Sequence, residues 1–258
     1  MKKPTDVGKN RTGAATDPAE AKRTMEGAEL GTPDENVDME APELHATRVA
    51  WSADAEPIGT MPPPDTMKGK AKAAVKKMQG KDPAVFLDQL GARLAFERTG
   101  TRLYEALLVK LAAANVHEGG PTRAELEEIR DEELRHAALI QRCMEQLGAD
   151  PTAVTPAADI QGVASSGVMQ VVADPRTTLT QALEAALIAE LADNDSWQML
   201  IELAEGLGQD EMAEQFRHAL DHEERHLARV RRWLSAALVG QAGIEPAPRQ
   251  DEAARPDR

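Results

Sequence analysis

The chain carries one cysteine, Cys143, in 258 residues. An intramolecular disulfide and any metal knot of four thiolates are therefore excluded, and a reducing compartment fits best. Aromatic residues make up 3% of the sequence while Ala, Leu and Glu abound, which favours helices. No stretch reads as a strand. Long apolar runs are also missing: none approaches the roughly 18 residues needed to span a bilayer. The opening Met-Lys-Lys-Pro-Thr-Asp lacks the apolar core of a signal peptide. A soluble, cytoplasmic protein without membrane contact is expected. Positive charge is scarce, with 30 Lys and Arg against 44 Asp and Glu, a net charge of −14. That balance opposes general nucleic-acid binding, which needs a clustered positive field.

Residues 1–66 are rich in Pro, Gly, Asp, Glu and Thr, with Trp51 their only aromatic, and show no sustained periodicity. Such a segment cannot bury enough apolar surface to offset its conformational entropy, so a largely disordered acidic and Pro-rich extension is expected. Within it, Ile58 to Pro64 is expected to be extended and to lie as a strap on the domain that follows. A basic linker helix is expected over 67–82, where Lys68 to Lys81 holds six lysines and no acid. It is read as a solvated linker or as a dock for an acidic surface.

Four long helical patterns then build one domain over 83–238, each with a buried stripe traced by steps of three and four. The first runs from Pro83 to about Ala114, entered through Asp82, with stripe Leu90, Leu94, Glu97, Thr101, Tyr104, Leu108 and Leu111. The second runs from about Pro121 to Leu147, stopped by Gly148, with stripe Leu126, Ile129, Glu133, His136, Ile140, Cys143 and Leu147. After a connection from Gly148 to Arg176, too long for a tight turn and read as a crossover, the third runs from about Thr178 to Glu205. Its stripe is Leu183, Ala186, Glu190, Asp193, Trp197, Leu200 and Ala204. The fourth runs from about Asp210 to Leu238 with stripe Met212, Phe216, Ala219, Glu223, His226, Val230 and Trp233, and residues 239–258 form a polar tail. The fold class is thus all-α, a four-helix bundle with a long crossover between its second and third helices.

Acidic and imidazole side chains sit on the same stripes as Leu, Ile, Phe and Trp. Glu133 with His136, and Glu223 with His226, are spaced i to i+3, so each pair presents a carboxylate and an imidazole from one helix face. A lone Glu on each remaining helix, Glu97 and Glu190, completes the donors of a two-metal carboxylate site in a helix bundle. The halves repeat: Glu97 to Glu133 is 36 residues, and Glu190 to Glu223 is 33. Burying several carboxylates without a cation costs several kcal/mol per charge, which a metal pair offsets. Oxygen donors with one nitrogen per metal suit iron or manganese and do not exclude zinc. A single Glu-x-x-His is common on solvated helices; two copies in phase with two lone glutamates favour metal. Asp193, on the face of Glu190, is either a further ligand or an outer aspartate. His218, His222 and His226 form an i, i+4, i+8 ladder, but the first two lie one position off the stripe, which disfavours a separate site there. Tyr104 serves either as a hydrogen-bonding or redox partner of the site or as a core aromatic. Gly100 either leaves space for a small oxidant or permits close helix packing.

These residues resemble the ferritin-like superfamily, and its rubrerythrin-type branch in particular. Phe96-Glu97-Arg98-Thr99-Gly100-Thr101-Arg102-Leu103-Tyr104 is similar to that branch's ligand Glu followed seven residues later by Tyr. Asp193 stands where the branch has an extra Glu, and residues 83–236 carry the likeness. The resemblance implies a ferritin-like bundle holding two Fe ions, with Mn as the alternative, bound by Glu97, Glu133, His136, Glu190, Asp193, Glu223 and His226, with Tyr104 beside them. It implies ferrous iron oxidation, or reduction of H2O2 or O2, in iron handling or oxidative-stress defence. One cysteine cannot build the rubredoxin domain of rubrerythrins, so an electron-donor protein or Fe2+ itself is the expected source of electrons. A homo-oligomer is expected. The competing expectations are a manganese catalase-like dismutase, a di-iron hydroxylase, and a metal-stabilised binding module or compartment cargo whose tails dock a partner.

Overall fold

The computed structural model describes residues 17–31, 41–62 and 82–244. The chain divides into two compact units, one of Thr5–Pro57 and a larger one that contains Ile58–Arg258. The described residues of the smaller unit form helices α1 (Pro18–Gly31) and α2 (Ala41–Asp54), where the sequence reading expects no regular structure. Their support is local. Asp17 accepts from the Glu20 N–H at 3.2 Å, Lys22 pairs with Glu26 at 3.6 Å, and the Thr47 hydroxyl donates to the Glu43 carbonyl at 2.9 Å. Met25, Val49 and Trp51 stay exposed, so capping and i, i+4 contacts, rather than a core, account for helices that hydrophobic periodicity did not announce.

The larger unit contains α3 (Pro83–Ala113), α4 (Arg123–Leu147), α5 (Pro156–Ala173), α6 (Leu179–Gly206) and α7 (Asp210–Ala242). Asp82 caps α3 by accepting from the Ala84 N–H, and Pro83 takes the first turn, where a missing N–H costs nothing. Reciprocal Thr-Glu and Thr-Gln capping boxes start α4 at Thr122 and Glu125 and α6 at Thr178 and Gln181. Gly148 ends α4 in the left-handed conformation, at φ 77°.

The buried stripes of α6 and α7 match the expected positions throughout. On α3 the lower half turns to bury Leu103 and Leu107, while Thr101, Leu108 and Leu111 are only partly buried; Leu147 of α4 is partly buried as well. The connection after Gly148 is the expected crossover, and it is helical. It carries α5, capped by Thr155 and begun by Pro156, whose Gly, Ser and Val content hid an 18-residue helix. The Thr155 hydroxyl donates to the Asp88 carbonyl and the Ala157 N–H to the Asp88 carboxylate, fixing α5 to α3.

Two apolar clusters fill the bundle. One gathers Phe86, Leu90, Leu94, Ile140, Cys143, Trp197 and Phe216; the other gathers Leu103, Leu107, Leu126, Ile129, Leu183, Val230 and Trp233. On α3 and α7 the first cluster precedes the second in sequence, and on α4 and α6 the order is reversed. The helix directions are therefore up, down, down, up, with α5 as the return that parallel α4 and α6 require. On each helix the candidate ligands fall between the two clusters, which makes the site a polar layer between two dry ones. Met61 packs on the first cluster, placing that end of the expected strap on the bundle, while Ile58 is exposed. Pro63 and Pro64, the basic segment Lys68 to Lys81, and the tail beyond residue 244 lie outside the described residues.

Candidate metal centre

Every candidate ligand is buried: Glu97, Glu223 and His226 at 0% exposure, Glu133 at 1%, Glu190 and Asp193 at 2%, His136 at 4%. Three groups of their donor atoms each lie within 4.8 Å of one another: Glu97, His136 and Glu223; Glu133, Glu190 and His226; Glu97, Glu133, Asp193 and Glu223. The first two groups each combine two carboxylates with one imidazole, and the third joins them.

Both histidines turn Nδ1 toward the carboxylates. His136 Nδ1 lies 2.6 Å from Glu223 Oε1 and 3.6 Å from Glu97 Oε2. His226 Nδ1 lies 3.0 Å from Glu223 Oε2 and 3.4 Å from Glu133 Oε1. The opposite ring nitrogens are held from outside: His226 Nε2 meets Glu132 Oε2 at 2.7 Å, and His136 Nε2 meets His222 Nδ1 at 3.3 Å. Such outer contacts fix ring orientation and tautomer. Trp197 packs edge-on against His136, 5.6 Å between ring centroids. Tyr104, wholly buried, donates its hydroxyl to Glu190 Oε1. Asn194 Nδ2 donates to the carbonyls of Glu190 and Glu223, at 2.9 and 3.1 Å, and so ties α6 to α7 at the level of the site.

Gly100 has a steric task that its two sequence readings did not name. A Cβ at this position would collide with the carboxylate of Glu133, so the glycine makes room for a candidate ligand of the neighbouring helix. Sequence reasoning also missed Arg93 and Glu132. Arg93, 2% exposed, pairs through Nε with Glu97 Oε1 at 2.8 Å and through Nη1 with Asp193 Oδ1 at 2.9 Å. Its signal was present: it stands four residues before Glu97, the spacing of an intrahelical ion pair. Glu132 looked like one more acid off the stripe. The histidine ladder does not converge, because His218 is 74% exposed and beside Glu214, whereas His226 is fully buried.

Burial sets the electrostatics of these side chains. Burial, with Glu223 and Glu97 nearby, drives the Glu133 carboxyl well above its ordinary value, and burial raises Glu190 to about 7. Burial likewise raises Asp193 against the pull of Arg93. Burial opposes charge on His136, but the Glu223 and Glu97 carboxylates override it and lift the imidazole to about 10. Glu223 moves the other way from Glu133, Glu190 and Asp193: burial would raise it, yet His136 and His226 hold it down at about 2. The hydrogen bond from His226 likewise keeps Glu132 at about 2. Glu133 Oε2 and Glu190 Oε2 are buried and, among the described residues, have no hydrogen-bond partner. Buried polar oxygens are rarely left in that state. Converging carboxylates with orphaned oxygens and two imidazole Nδ1 atoms fit a metal site.

No curated protein and no solved structure matches the chain. The family model described as Rubrerythrin matches residues 88–234, a span that contains every candidate ligand and both apolar clusters apart from Phe86 and Leu87. With that match over more than half its length, and an all-helical bundle around buried carboxylate and histidine clusters, the chain belongs to the rubrerythrin family, a ferritin-like di-iron family, here without indication of a rubredoxin domain.

Proposed function

We propose that this protein is a non-haem di-iron oxidoreductase that oxidises Fe2+ or reduces H2O2 or O2 within the bundle. The observation that carries the reading is the pairing of two donor groups, each of two carboxylates and one imidazole, joined by a third group and buried between apolar layers. Glu97, His136 and Glu223 would hold one metal and Glu133, Glu190 and His226 the other, with Glu133 and Glu223 shared through the third group. When bound, iron supplies one-electron redox chemistry at each of two adjacent positions, enough for the two-electron reduction of a peroxide.

The chain's own residues prepare that chemistry. Glu132 and His222 hold the outer nitrogens of His226 and His136, so both rings keep Nδ1 inward. Tyr104 holds a proton against Glu190, where charge on the carboxylate can be balanced without water. Leu94, Trp197 and Phe216 on one side, and Leu103, Ile129 and Val230 on the other, exclude bulk solvent. Asp193 is held by Arg93 while still lying in a donor group, which supports a part in the site as ligand or as outer support. Manganese satisfies the same donors. Metal analysis of protein purified from its native host separates a di-iron oxidoreductase from a manganese dismutase. Electrons come from a donor protein or from Fe2+, and the molecule works as a homo-oligomer.

The test is metal content and turnover of the wild type against Glu133→Ala and Glu223→Ala. The reading expects both variants to lose metal together with peroxide reduction and ferrous oxidation. A full complement of metal in both would exclude this site. A second reading, docking by the extension, is supported by the exposure of Met25, Val49 and Trp51 on α1 and α2. Removing residues 1–57 separates the two: partner capture is lost and redox turnover kept if the extension docks.

A further inference from the structure

A small cavity of about 50 Å³ opens between α3, α5 and α6, lined by Gln89, Arg93, Phe96, Gln161, Ser196 and Met199 among others. Its position is informative because of Arg93. On one side this guanidinium is committed: Nε faces Glu97 and Nη1 faces Asp193, both within 2.9 Å. Its plane lies over the Phe96 ring, 4.3 Å from the centroid. Nη2 is buried and, among the described residues, has no hydrogen-bond partner; Nε is held by its ion pair alone. Guanidinium N–H groups are obligate donors, so the polar edge of Arg93 suits the cavity it lines to a small molecule with acceptor oxygens. The rest of the lining agrees, since Gln89, Gln161 and Ser196 add amide and hydroxyl groups to an otherwise apolar wall.

Resting on the di-iron reading above, we propose that this cavity is the port by which hydrogen peroxide reaches the buried centre, and that Arg93 is its specificity-determining residue. The size argues for it. One water needs roughly 10–15 Å³ of such volume, so the cavity admits a molecule of a few heavy atoms and not an organic substrate of hydroxylase size. The polarity argues for peroxide over dioxygen, because peroxide offers acceptor oxygens to Nη2 and hydroxyl donors to the Gln and Ser side chains. Arg93 lines the cavity and pairs with Glu97 and Asp193, so a molecule received there is one side chain from both carboxylates. No bond changes at the port; its role is reception and selection.

Ser196→Phe narrows the wall and Met199→Trp, at an exposed position in the lining, narrows the mouth; neither residue is a candidate ligand. With metal-loaded protein and a chemical electron donor, both are expected to raise KM for hydrogen peroxide by about tenfold while kcat stays within about twofold and metal content is unchanged. Leu134→Trp, an exposed substitution on α4, is expected to change neither constant. Independently of turnover, crystals of the metal-free protein soaked in hydrogen peroxide are expected to show a two-atom species within hydrogen-bonding reach of Arg93, lost in Arg93→Gln. Unchanged KM in both narrowed variants together with empty density at Arg93 overturns the port, even if the wild type reduces peroxide. If the wild type reduces no peroxide at any metal loading, the functional reading fails instead. The soaked crystal then decides the port alone: density at Arg93 supports it and empty density overturns it.

Discussion

Gly100 shows how closely one missing side chain is tied to the site. Because a Cβ there would meet the Glu133 carboxylate, Gly100→Ala is expected to displace that carboxylate while raising local helix propensity. The outcome should be a loss of about tenfold or more in metal affinity with helicity retained, read by metal titration beside far-ultraviolet circular dichroism. Cys143 makes a second prediction at this scale. It is 1% exposed, and burial pushes its thiol up to about 11. A raised thiol pKa leaves the protonated, unreactive form dominant below that value. In the folded protein Cys143 is expected to resist an aromatic disulfide reagent at about pH 8 and to react at once after denaturation. Among single residues, those on the stripes were readable from the sequence because a carboxylate among Leu and Trp is conspicuous. Glu132 was not, since pairing with a histidine of another helix carries no periodic signature, and Arg93 showed only its i to i+4 spacing to Glu97, which solvated helices share.

Among the elements, the four bundle helices were legible from apolar periodicity and caps, whereas α5 was not. It turns small and apolar residues both inward and outward, with Ser165 and Val172 buried but Ile160 and Val163 exposed, so no polar face marks its period. Its hold on α3 runs through Thr155, which fills the space left by Gly91. Gly91→Ala is expected to push Thr155 away and cost about 1–3 kcal/mol, with α5 showing the largest rise in amide exchange. The start of α4 offers a pH test. Burial works against charge on Glu125, but the Thr122 N–H and hydroxyl, with Arg232 and Arg229 near, keep its carboxyl below the ordinary 4.5. A depressed folded pKa contributes stability above the unfolded value that is lost as pH falls through the folded one. Thr122→Ala is therefore expected to cost about 1 kcal/mol at neutral pH, and the gap to wild type should narrow as the solution is acidified below that range, leaving the part due to the hydroxyl capping the Glu125 N–H. Denaturant midpoints across the acid range check it.

For the whole molecule, a charged layer sits in mid-bundle, and the fold bears its cost unless cations arrive. Chelation is expected to lower Tm, and Fe2+ added without oxygen at about 100 times its Kd to restore about 2.7 kcal/mol, a shift of about 5–10 °C. Glu133→Ala should abolish the response. No helix among the described residues is long and apolar enough to cross a membrane. The pairing of Arg93 with Glu97 breaks the approximate repeat of the two halves, because the matching Glu190 is met by the neutral Tyr104 hydroxyl. A guanidinium paired with Glu97 and a neutral hydroxyl on Glu190 would make the two proposed positions unequal hosts. Filling should proceed in order, with Glu133, Glu190 and His226 occupied before Glu97, His136 and Glu223. A calorimetric isotherm would then show two steps that draw together in Arg93→Gln, and limiting metal would yield a half-filled protein able to take a different ion in its second seat.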